Sequence, residues 1–234
     1  MKALNQTTRT LAYKIECARF SFRILETQWR QLRSVLSVNG DPSVSEEIAI
    51  ELMSAAWQIV DFSARYLNVL NTIVGFPKKD LNFVSLVKIG RSLTKVRNYI
   101  QHVDHESHKH NGAETYPILG ALAWSGQDGK SSTSMCIGTM PTETSFHTLG
   151  FDKVTGKYVD DVILGVGNQT LSLLQLYDTS ATVSVLLNDW LRENKLLNDE
   201  ELLPNVLRFE GVPDVSNDMR FIRVKFKMGG LKTA

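Results

Sequence analysis

The chain has 234 residues, enough for one large domain or two small ones, and its 43% hydrophobic content supports a sizeable core. With 26 basic against 25 acidic side chains the net charge is +1, so no whole-molecule field draws nucleic acid, and any such binding must come from a local patch. The N-terminal stretch lacks an apolar signal core, and no window reaches the roughly 18–20 apolar residues of a membrane span, so a cytoplasmic protein with no membrane partner is expected. Cys17 and Cys136 are expected to be two free thiols rather than a disulfide.

Leu11, Ile15, Ala18, Phe22, Leu25, Trp29, Leu32 and Leu36 alternate steps of four and three, which draws one apolar stripe along a helix over about 7–37. Asn39-Gly40-Asp41-Pro42 stops it. Ser45, followed by Glu46 and Glu47, starts a second helix over about 45–74, with acids favoured at its N-terminal dipole. Its stripe is Ile48, Leu52, Ala55, Ile59, Phe62, Tyr66, Val69 and Ile73, and Gly75-Phe76-Pro77 ends it. Asp80 caps a third helix over about 81–108, whose stripe is Leu86, Ile89, Leu93, Val96, Ile100 and Val103.

Over 113–168 the pattern becomes that of a small antiparallel sheet. Tyr116 to Trp124 and Ser131 to Met140 form one expected hairpin; Phe146 to Phe151 and Tyr158 to Val166 form another, across Asp152 to Gly156. Gly165 and Gly167 suit strand packing or a bulge. Helical spacing returns over about 170–195 with Leu173, Leu176, Ser180, Val183, Leu187 and Trp190. Arg220 to Met228 alternates as a C-terminal strand with Arg223, Lys225 and Lys227 on its solvent face, inside an extension over about 205–234.

Each helix has one apolar stripe to bury, so the expected architecture is mainly α with added β: an antiparallel four-helix bundle, a small antiparallel sheet inserted between the third and fourth helices, and a C-terminal strand. One composite domain over 1–234 is expected.

The third helix carries a second stripe. At about 100° per residue, Lys88, Arg91, Lys95, Asn98, His102 and His105 lie roughly opposite the apolar one. Its bland reading is a solvated face; its sharper reading is a phosphate-attracting strip leading to His102. Arg97 sits apart, about 40° from the apolar stripe. An arginine there suits either an ion pair at the bundle edge or a guanidinium offered to phosphate in a cleft.

Arg97-Asn98-Tyr99-Ile100-Gln101-His102 resembles the Arg-x4–6-His signature of the HEPN superfamily, with Asn98 in its polar place and His102 in its histidine place. The resemblance covers the helical residues and not the strands. It implies a metal-independent endoribonuclease, toxin- or defence-related, working at the cleft of a homodimer and restrained by a protein inhibitor. The chemistry needs no cofactor. RNA supplies its own nucleophile, the 2′-hydroxyl; a histidine, which titrates around 6.5 when unperturbed, accepts its proton; an arginine stabilises charge on the attacked phosphate. On that reading Arg97, Asn98 and His102 are catalytic, while Lys88, Arg91, Lys95, Tyr99 and His105 bind substrate. Tyr99 would stack on a base, although a core or interface tyrosine is the blander role.

Arg97 and His102 are separated by about 140° around an ideal helix, so they do not share a face. Either the helix is distorted, or Arg97 reaches round it, or the working pair comes from two chains.

Two alternatives stand beside the nuclease. One is a non-catalytic HEPN-like dimerisation or partner- and RNA-binding module. The other is metal binding through His102, His105, His108 and His110, with Asp104 and His108 an i,i+4 ligand pair, a spacing that matches no established metal signature. Trp29, Trp57 and Trp190 fall on apolar stripes and are expected in the core.

Overall fold

The four apolar stripes become four packed helices. The computed structural model describes residues 6–38, 45–102, 119–126, 128–137 and 149–196. The helices are α1 (Gln6–Val38), α2 (Glu46–Thr72), α3 (Leu81–Gln101) and α4 (Leu173–Glu193). Each packs on the next along the chain, and α4 closes back on α1.

Cross-helix contacts fix the directions. Lys14 Nζ donates to the Thr72 carbonyl and Gln31 Nε2 to Glu51, so α1 and α2 run antiparallel. Arg97 meets Asp61 while Gly90 meets Leu67, so α2 and α3 do too. Trp190, late in α4, packs edge-on against Phe76 ahead of α3, and Gly167, ahead of α4, lies against Tyr99 late in α3.

The caps follow the sequence signals. Ser45 Oγ accepts from the Ile48 N–H, and Asp80 Oδ1 accepts from the Asn82 N–H at 2.8 Å. Of the expected α1 stripe, Ile15, Ala18, Leu25, Trp29, Leu32 and Leu36 are buried, and Leu11 and Phe22 pack at its margin. The α2 stripe was too narrow. Met53, Ala56, Val60, Ser63, Ala64, Leu67 and Leu70 are buried as well, because α2 is covered by α1 on one side and α3 on the other. In α4, Leu191 is buried and Trp190 only half-buried.

The sheet has strand order β2-β1-β5-β6, all antiparallel, built from β1 (Ala121–Ser125), β2 (Ser132–Cys136), β5 (Val162–Val166) and β6 (Gln169–Ser172). The first expected hairpin is present, with Trp124 opposite Thr133. The second is not as expected. Among the described residues only Phe151–Asp152 (β3) and Lys157–Tyr158 (β4) pair, as a separate ribbon, whereas Val162–Val166 leaves to join β1. Asp160 and Asp161 interrupt the run; the Asp161 carboxylate accepts from the Val162 N–H at 2.6 Å, and Val162, Leu164 and Val166 then bury against the helices.

The fourth helix also starts later than expected. Residues 169–172 form β6, joined to β5 by Gly167-Asn168, where Gly167 has φ +54°. A two-residue turn with positive φ matches the twist of paired strands. Ser172 then caps α4, its Oγ accepting from the Gln175 N–H at 2.9 Å. Gly167 therefore serves a turn, not a bulge.

Leu122, Trp124, Val162, Leu164, Val166 and Leu171 join the helix side chains in one continuous core. The expected C-terminal strand over 220–228 lies outside the described residues, as does Val103.

The α2–α3 contact depends on a missing side chain. A Cβ at Gly90 would stand 2.5 Å from Leu67 Cδ2, inside the packed core. Gly90→Val is expected to destabilise by about 1–3 kcal/mol through overpacking, more than the few tenths valine regains over glycine in helix propensity. Urea denaturation measures this, and an unchanged midpoint would disprove the close approach.

Candidate functional site at the end of the third helix

The last two turns of α3 alternate between side chains held by the fold and side chains left in solvent. Arg97 Nε donates to Asp61 Oδ1 on α2 at 2.9 Å, and the two side chains are 27% and 25% exposed. Gln101 Nε2 donates to the same oxygen at 3.3 Å. Arg65 Nε, one turn along α2, donates to Asp61 Oδ2 at 2.6 Å and lies over the Phe62 ring. Burial pushes the Asp61 carboxyl up, but the hydrogen bonds and charges of Arg65 and Arg97 outweigh it and hold its pKa below the ordinary 3.8. Two guanidinium groups around one carboxylate leave the cluster one net positive charge.

The cluster borders a shallow cleft of about 300 Å³ between α2 and α3, lined by Trp57, Asp61, Phe62, Arg97, Ile100 and Gln101. The Trp57 indole N–H is buried with no hydrogen-bond partner among the described residues. Trp57 is thus half in the core and half in the cleft wall. Asp61 engages Arg97 through Nε, and the terminal Nη groups carry no hydrogen bond among the described residues. Those are the donors a phosphate would take bidentately.

The other candidates are placed as follows. Lys88, Arg91, Lys95, Asn98 and His102 are all exposed, as one stripe on the far side of α3 from its buried residues. Tyr99 is half-buried with its ring against Gly167; a Cβ there would lie 3.2 Å from Cε2, so Tyr99 ties α3 to the β5–β6 turn. His102 caps α3 at φ −121°, ψ 28°, and its backbone N–H donates to the Asn98 carbonyl at 3.1 Å and the Tyr99 carbonyl at 3.2 Å. Asn98 therefore holds His102 through the backbone, and no side-chain hydrogen bond joins the two. None joins Arg97 to His102 either: Arg97 faces α2, and His102 has left helical geometry in the solvent. His105 lies outside the described residues, as do Asp104, His108 and His110 of the histidine cluster.

Asp61, Arg65 and Gln101 were not singled out from the sequence, and Trp57, expected in the core, is half-buried at the cleft wall. A signal existed: Asp61 is the sole acid of α2 after Glu51, and it stands one turn before Arg65.

Cys17 and Cys136 are free thiols, both half-buried. Among the described residues no helix is long and apolar enough to cross a membrane, and no group of three or more His, Cys, Asp or Glu side chains is arranged to hold a metal ion. No protein-family model, curated protein or solved structure matches the chain.

Asp61→Asn keeps the shape of the side chain and removes its charge. At neutral pH it is expected to cost about 1–2 kcal/mol, the lower part of the range for hydrogen bonds to charged groups, because the site is partly solvated. The folded pKa of Asp61 is lowered, so between its folded and unfolded values the unfolded chain binds more protons and stability rises with pH. The wild-type advantage should be complete above the ordinary 3.8 and vanish as pH falls through the lowered value. Urea titrations of both proteins across that range decide it; an advantage undiminished in acid contradicts the ion pair.

Proposed function

We propose that the chain is a HEPN-like, metal-independent endoribonuclease whose active site forms where two copies meet. The observation that carries this reading is the placement of Arg97: a guanidinium oriented through Nε in a net-positive cleft, on the same turns of α3 that present Asn98 and His102 to solvent. The exposed Lys88, Arg91 and Lys95 supply backbone contacts that position RNA without reading its sequence.

In the proposed step the 2′-oxygen bonds to phosphorus and the bond to the 5′-oxygen breaks. The 2′-hydroxyl proton passes to the His102 imidazole, and a proton returns to the leaving 5′-oxygen. The products are a 2′,3′-cyclic phosphate and a 5′-hydroxyl. Arg97 supplies charge to the phosphate oxygens as negative charge builds there. Asn98 is the polar neighbour available to a second phosphate oxygen. Because Arg97 and His102 point apart on one helix, the pair that acts on one phosphate comes from two chains.

A second reading is favoured by one contact. The Arg97–Asp61 ion pair is a complete structural role, and a bundle that used Arg97 only to brace α2 would be a binding module with no turnover.

Incubation with unstructured RNA in EDTA separates these. Wild type should cleave, and His102→Ala and Arg97→Ala should each lose about 10²–10⁴-fold, the range for general acid–base and charge-stabilising groups. RNA left intact by wild type would favour the binding module. Mixing the two variants tests the shared site. In a mixed dimer one site loses both groups and the other keeps both, so an equal mixture should regain about a quarter of wild-type activity. Two inactive variants that fail to complement would place the working pair within one chain.

A further inference from the structure

A second and larger groove lies elsewhere, and nothing assigned so far uses it. A groove of about 820 Å³ runs between the C-terminal half of α1, the β1–β2 turn, the β3–β4 ribbon and the start of α4. Its volume falls in the range of small-molecule sites, roughly 300–1,000 Å³.

Its walls are built rather than incidental. Trp29 of α1 stacks on Tyr177 of α4 with ring centroids 5.2 Å apart and planes 19° from parallel. The Arg33 guanidinium lies over the Trp29 ring, 5.8 Å from its centroid. Across the groove, the Tyr158 N–H donates to the Gly129 carbonyl at 2.7 Å, which docks the ribbon onto the β1–β2 turn. Gly129 has φ +66°, and a Cβ there would stand 3.2 Å from Lys157 Cδ, so the Lys157 stem lies across the turn. Burial and the nearby Glu26 carboxylate push the Tyr177 phenol pKa up, so it stays protonated as a hydrogen-bond donor.

The lining separates by chemistry. Tyr158 and Tyr177 are half-buried and give the groove its open aromatic surface, over a packed floor of Trp29 and Trp124, which are 7% and 5% exposed. Arg33 and Arg30, the latter paired with Glu26 at 2.7 Å, stand on one wall and Lys157 on the other. Asp128 is tied into its own turn by the Lys130 and Ser131 N–H groups. Asp160 meets Arg33 only at 3.3 Å, with the two side chains 72% and 45% exposed. An exposed pair at that distance is worth little, and a phosphate offers Arg33 shorter, charge-assisted bonds.

We infer that this groove binds a nucleotide unit, its phosphate held by Arg33 and Lys157 and its base against the Tyr158 and Tyr177 rings. A bare anion would leave the Tyr158 and Tyr177 rings unused, and an apolar ligand would leave Lys157 and the weakly paired Arg33 without an anion. A nucleotide satisfies both. A free nucleotide and one unit of a single strand present the same chemistry, and the site shares no lining residue with the Arg97 cleft.

The test uses the full chain, calorimetry and tryptophan fluorescence, with adenosine monophosphate, inorganic phosphate and an uncleavable 2′-O-methyl hexaribonucleotide as probes. The nucleotide or the oligonucleotide should bind, with phosphate at least about tenfold weaker, a gap of roughly 1.4 kcal/mol. Binding of the mononucleotide, in competition with the oligonucleotide, identifies a free nucleotide site; binding of the oligonucleotide alone, weakened by the groove variants Arg33→Glu and Lys157→Glu, identifies a strand site. Arg33→Glu and Lys157→Glu, exposed changes whose fold is checked by circular dichroism, should each weaken binding about tenfold. The inference is overturned if neither probe binds, if phosphate binds as well as the nucleotide, or if the two groove variants bind like wild type.

Discussion

One carboxylate sets the rotation of α3. Asp61 accepts from Arg97 and Gln101 on α3 and from Arg65 on its own helix, in a region only a quarter exposed. A partly buried charge that loses its partner costs more than the pair contributes while intact, so α3 cannot turn without a penalty. The apolar side of the same helix agrees: Leu86, Leu93 and Val96 are fully buried, and Gly90 admits Leu67. Tyr99 adds a third tether on the β5–β6 turn. Asn98 and His102 are what remains, and they stand in solvent on a helix fixed from three directions. A site presented on so constrained an element is held to a defined geometry.

The helices were legible in the sequence because each has a single dominant buried side. Periodicity finds such a side, as it does for Ile15 to Leu36 and Leu86 to Val96. It fails for α2, which is covered on more than one side and so hides its extent behind a four-three pattern. The sheet was legible as composition and less so as pairing. Gly167-Asn168 is a strong two-residue turn, yet the helical spacing that starts at Leu173 was extended back to about 170 and concealed β6. Strand partners are set by which residues the helices bury, and Val162 to Val166 chose β1 for that reason.

At the candidate site, position on the helix was readable and partnership was not. The angular arithmetic put Arg97 at a bundle edge, where the structure has it, and put Lys88, Arg91, Lys95, Asn98 and His102 on the exposed side, where they are. It said nothing of Asp61, because a contact across 36 residues has no local signature. The insertion shows the same limit. Its aromatic and basic residues looked like strand composition until the ribbon and the β1–β2 turn set Lys157 and Tyr158 opposite Arg30 and Arg33.

The divergence of Arg97 and His102 constrains the proposed ribonuclease energetically as well as geometrically. Turning α3 far enough to bring the imidazole into the α2–α3 cleft would carry Leu93 and Val96 out of the core. Each such side chain is worth about 1.5–3 kcal/mol when fully buried, and the Arg97–Asp61 contact would be lost as well. That sum approaches the whole stability of a typical domain. Pairing two copies about a two-fold axis demands none of it, since groups that diverge on one helix can converge across the axis with both helices unmoved. The packing of α3 therefore makes a shared site the less costly way for this bundle to place a guanidinium and an imidazole on one phosphate.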